Sequence, residues 1–143
     1  MYQIYAITFE ADPTGRYLYA TCAKAGDHGN RFITFGGRIC RFLLDGKNQQ
    51  WEEVASVQQS PANPFSLHDL NVNARGDVVV IERGHRGVTS LWKYSAGTGA
   101  VEQITKVPGM HTFGGPRISP DGKWVSFLDQ SLLFLASMKG VTP

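Results

Sequence analysis

The stretch Gly115-Pro116-Arg117-Ile118-Ser119-Pro120-Asp121-Gly122-Lys123-Trp124-Val125-Ser126-Phe127 decides how the rest of the chain is read. It predicts a short strand, a tight Ser-Pro-Asp-Gly turn and a second strand. Proline suits the second position of such a turn because its φ is already fixed at about −65°, and glycine accepts the positive φ that follows. The same grammar occurs twice more. Asp12-Pro13-Thr14-Gly15-Arg16 leads into Tyr17-Leu18-Tyr19-Ala20, and Asn73-Ala74-Arg75-Gly76-Asp77 leads into Val78-Val79-Val80-Ile81. Three copies of one hairpin make a repeat.

Around these turns the chain divides into β-forming runs. Tyr2 to Ala11 is apolar on both faces, which predicts a strand buried on two sides. Tyr17 to Cys22, Arg38 to Leu44 and Trp51 to Val57 follow, with Asp45-Gly46 supplying a hairpin signal. Ser60 to Phe65 is a connector whose prolines cannot donate to a sheet ladder. The order then repeats as Leu67 to Val72, Val78 to Glu82, Val88 to Tyr94 and Ala100 to Val107. A third unit offers Pro116 to Ser119, Trp124 to Leu128 and Leu132 to Met138, and lacks a fourth strand. No long window carries a helical stripe free of Gly and Pro.

At 143 residues the chain is the usual size of one domain. Fourteen Lys and Arg against twelve Asp and Glu leave a formal charge of +2, with no basic run, so neither nucleic acid nor a membrane surface is expected as a partner. Apolar stretches such as Leu132-Leu133-Phe134-Leu135-Ala136 fall far short of the roughly 20 residues of a membrane helix. The first residues carry no secretory pattern, so the expected location is the cytoplasm, unless an export signal has been removed. Cys22 and Cys40 have no metal-type spacing. Two buried, reduced thiols on neighbouring strands are expected; a disulfide between them is the alternative, and it would imply an oxidising compartment.

The step from Gly76 to Gly122 is close to the ~40–45 residues of a four-stranded propeller blade, and the step from Gly15 to Gly76 is longer because two loops are extended. The segment Arg117 to Phe127 resembles the WD-like repeat of TolB-type β-propellers, also found in the propellers of prolyl oligopeptidase relatives. The second copy has Ala74 where that motif has proline, and the first has Thr14 between Pro13 and Gly15. The resemblance implies a fold and carries no catalytic residues. It implies an all-β domain over 1–143 built of about three antiparallel meanders: blade 1 at about 1–59, blade 2 at about 65–108 and an incomplete blade 3 at about 112–143. Closed propellers have about four to eight blades. The expectation is therefore a half-propeller that dimerises into a six-bladed ring, or a piece of a longer propeller, with Tyr2 to Phe9 of a partner as the missing strand of unit three.

Four histidines, His28, His68, His85 and His111, match no zinc signature. His68 and His111 precede first strands, where a histidine in WD-type blades bonds within the blade. First strands of a propeller line its channel, so His68, Asp69, Asn71, Glu10, His111 and Arg117 are the candidate binding residues at a channel mouth. The competing reading has Asp69 and Asn71 satisfying backbone groups. There is no nucleophile elbow and no phosphate loop. Ser119 is expected to cap its turn, and Glu82, Arg83, His85 and Arg86 to form a solvated rim. Trp51, Trp92 and Trp124, one per unit, are expected to fill space between blades. The functional expectation is a non-enzymatic module for protein–protein assembly, without metal or cofactor. The alternative is a lactonase- or lyase-like propeller enzyme or a ligand-binding protein using the channel mouth.

Overall fold

Alternation of apolar residues and three capped turns give eleven strands and, among the described residues, no helix. The computed structural model describes residues 2–24, 37–47, 50–57, 66–83, 89–104 and 113–137. The first sheet holds β1 (Tyr2–Ala11), β2 (Tyr17–Lys24), β3 (Arg38–Leu43) and β4 (Trp51–Ser56) in chain order. The second holds β5 (Ser66–Val72), β6 (Val78–Arg83), β7 (Thr89–Tyr94) and β8 (Val101–Gln103). The third holds only β9 (Phe113–Ile118), β10 (Trp124–Asp129) and β11 (Leu132–Ser137). All pairs are antiparallel. Each expected strand is present, with ends moved by a few residues. The largest changes are β9, which starts at Phe113, and β8, which ends at Gln103. The Ser60–Phe65 connector lies outside the described residues.

Each of the three repeat turns is held by the side chain of its first residue. Asp12 accepts from the amides of Arg16 and Tyr17, Asn73 from those of Arg75 and Asp77, and the Ser119 hydroxyl from those of Lys123 and Trp124. Short polar side chains do this because they reach their own backbone a few residues on. Burial works against the Asp12 carboxylate, and the hydrogen bonds from Thr14, Tyr17, Arg16 and Gly15 outweigh it, so its pKa lies below the ordinary 3.8.

The turns differ in length where it matters. Asp12 donates its amide to Tyr17 and Ser119 to Trp124, whereas Asn73 donates to Asp77, one residue sooner. A one-residue slip sends every side chain of a strand to the other face. The strands are thus in phase when counted from Tyr17, Asp77 and Trp124, not from the three glycines.

Counted that way, the three sheets stack head to tail. Tyr19 of the first sheet faces the second, which returns Val78 and Val80. Val79 and Ile81, on the forward face of the second, meet Val125 and Phe127 on the rear face of the third. The first strands β1, β5 and β9 lie side by side along one edge of the stack. β1 lies at the edge of its own sheet, paired with β2.

Cys22 and Cys40 form a disulfide, which corrects the expectation of free thiols. The cause is register: Cys40 sits opposite Ala20, one step diagonally from Cys22 on the same face, with Cα atoms 6.0 Å apart. That separation lies within bonding range. The tryptophans also divide. Trp92 packs into the core between the first two sheets. Trp51 packs on Phe42 on the rear of the first sheet, and Trp124 is exposed on the forward face of the third. Those two faces have no neighbouring sheet among the described residues, so the rings have nothing to fill.

Gly122 has a φ of 72°, and a Cβ there would lie 2.6 Å from Oδ2 of Asp77, whose carboxylate is fixed by the Ala96 amide and the Asn73 amide group. Gly15 has a φ of 73° with open space around it. Gly15→Ala is expected to cost about 1 kcal/mol for the left-handed backbone alone, and Gly122→Ala roughly 2 kcal/mol or more, measured by urea unfolding.

Candidate functional site

Each first strand carries a residue two positions before its turn: Glu10, Asn71 and Arg117. Their partners across the hairpin are Tyr19, Val79 and Ser126, the same forward position in each sheet. Because the first strands lie side by side, the three side chains come to one place. They line a hollow of about 300 Å³ together with Pro13, Ala74 and Pro120.

Asn71 is the centre of it. Its side-chain NH₂ donates to Oε1 of Glu10 at 2.9 Å, and its carbonyl oxygen accepts from the buried Ile118 amide at 2.7 Å. One side chain therefore joins all three sheets. Thr8 adds a bond from the first sheet to the second by accepting from the Leu70 amide. Asn73 donates to the Ser119 carbonyl, tying the second turn to the third. The use of Asn71 on a backbone group is the structural role set against binding in the sequence reading.

The remaining candidates lie elsewhere. His68 is half-buried on β5, away from the lining residues of the hollow. Asp69 is exposed at a bulge in the same strand, with a φ of 51°. His111 lies outside the described residues, as do His28, His85 and Arg86. Burial lowers the pKa of His68 below its ordinary 6.5, the Arg83 guanidinium adds to this, and Asp69 opposes it. Burial raises that of Glu82 above 4.5. The Arg117 guanidinium donates to the Pro116 carbonyl. Among the described residues no group of three His, Cys, Asp or Glu is placed to hold a metal ion.

No family model matches this chain, and no curated protein matches it either. Inference about function therefore rests on the surface itself.

The feature that sequence reasoning missed is an apolar surface at each end of the stack. On the forward face of the third sheet, Trp124, Leu128, Leu133 and Leu135 are 46%, 43%, 74% and 66% exposed. On the rear of the first, Phe9 is 62% exposed beside Leu18, Phe42 and Trp51. The equivalents of Leu128 in the other sheets, Thr21 and Ile81, are buried, as are the equivalents of Phe9, Leu70 and Pro116. The signal was available in the repeat, but only with the strands in phase.

Asn71→Ala is expected to lower stability by roughly 2–4 kcal/mol, because it leaves the Ile118 amide buried and unpaired. Hydrogen exchange should show lost protection at Ile118. Since the His68 pKa is lowered on folding, its neutral form belongs to the folded state. The stability it contributes is complete above pH 6.5 and drains as pH falls from that value through the lower pKa of the folded state. His68→Gln should flatten the fall in urea midpoint measured on either side of pH 6.5.

Proposed function

We propose that the three sheets are blades of a TolB-like β-propeller and that the chain is a non-enzymatic assembly module, completed by a second copy into a six-bladed ring. The observation that carries this is the equivalence of its end faces with its internal ones. Inside the chain, a forward face with Val79 and Ile81 is covered by a rear face with Val125 and Phe127. At the ends, a forward face with exposed Trp124, Leu128, Leu133 and Leu135 and a rear face with exposed Phe9 and half-buried Leu18 and Phe42 repeat that pattern with no neighbouring sheet among the described residues, while Ala20, Cys22 and Cys40 on that rear face are buried. A patch of this kind is the mark of an interaction site. Each large apolar side chain brought out of water contributes about 1.5–3 kcal/mol.

A protein–protein role is favoured over the enzyme reading because the polar groups of the hollow serve each other. Asn71 is committed to Glu10 and Ile118. The Cys22–Cys40 disulfide favours an oxidising compartment over the cytoplasm.

Light scattering coupled to size exclusion should return twice the chain mass of 15.7 kDa for the native protein. Leu133→Lys, at the most exposed of the four forward-face positions, should return the single mass with an unchanged circular dichroism spectrum. A native protein at the single mass at every concentration refutes the ring.

A further inference from the structure

The geometry points to an electrostatic register for the junction between two copies: Arg117 of one chain pairs with Glu10 of the next, so that only opposite ends join. This rests on the ring proposed above. Glu10, Asn71 and Arg117 occupy one position in three successive sheets, an anion, a neutral amide and a cation in stacking order. The internal step from Glu10 to Asn71 is bridged by a direct side-chain hydrogen bond. When the first sheet of a second copy follows the third, the next residue at that position is a second Glu10. A guanidinium cannot accept the amide bond that Asn71 takes, and it is suited to a carboxylate, to which it donates two parallel bonds.

The two charges stand where such a pair is needed. Arg117 is exposed on the forward face, and its guanidinium donates to Pro116 of its own chain. Glu10 is half-buried, and its Oε1 already accepts from Asn71 while Oε2 has no bond among the described residues. Pairing two forward ends would set Arg117 against Arg117, and pairing two rear ends would leave each Arg117 without a carboxylate. The first arrangement is repulsive and the second forgoes the pair, and charge placement of this kind excludes wrong partners. Apolar packing supplies adhesion without direction; the charges supply direction.

A double-mutant cycle on the dissociation constant of the dimer, by sedimentation equilibrium, tests this. Glu10→Gln keeps an oxygen for the Asn71 bond, and Arg117→Gln alters an exposed side chain, so both variants should remain folded by circular dichroism. Each single variant should weaken the dimer roughly tenfold, and the double variant no further than either single one. Raising salt should weaken the native dimer and leave the double variant unmoved. A dimer for which the two effects simply add, or for which Arg117→Gln changes nothing, overturns the charge pairing while leaving the ring intact. A native chain that stays at one copy overturns the ring as well.

Discussion

The amide of Asn71 is the constraint on which the arrangement depends. Three antiparallel sheets can each satisfy their own ladders, yet nothing in a ladder fixes one sheet relative to the next. Apolar packing between sheets is tolerant of sliding. Asn71 removes that freedom, because its NH₂ group reaches Glu10 of the sheet before and its oxygen caps the Ile118 amide of the sheet after. Buried amides that go unpaired are costly, so the position of β9 is set by two acceptors of the second sheet, Asn71 for the Ile118 amide and the Thr89 hydroxyl for the Phe113 amide. Thr8 and Asn73 extend the same logic on either side, with bonds to Leu70 and Ser119.

The core is organised by the two faces of β6. Val78 and Val80 look one way and Val79 and Ile81 the other, and all four are buried. A strand buried on both faces reads as a continuous apolar run. The run Val78-Val79-Val80-Ile81 is of that kind, and it lies in the sheet with neighbours on both sides. β2 and β10 have a neighbouring sheet on only one side among the described residues; Leu128 is exposed on the free side of β10, whereas on that side of β2 Leu18 is half-buried and Ala20 and Cys22 are buried.

Strand order and turn positions were legible because they depend on local chemistry. Prolines and glycines at the turns, capping side chains at their first positions and alternating apolar residues are all written within a few residues of where they act. The head-to-tail stacking was less legible, since aligning the copies on Gly15, Gly76 and Gly122 puts β6 one residue out of phase. The disulfide was hidden for a related reason: Cys22 and Cys40 meet only through the register of β2 and β3, which the intervening chain does not announce. Of the candidate site, Glu10, Asn71 and Arg117 came together because they share a repeat position, whereas His68 and Asp69, close to Asn71 in sequence, do not line the hollow.

The unequal ends of the stack have one more consequence. A surface that fits only its opposite generates either a closed circuit or an endless fibre, and the angle between successive units decides which. A modest change in the tilt of one sheet, such as loosening the contact that Arg75 makes with the Asp121 carbonyl between the second and third turns, would leave every adhesive residue in place. It would alter the curvature that, in the proposed ring, brings the last unit back to the first. In such a ring, polymerisation would be held off by shape alone.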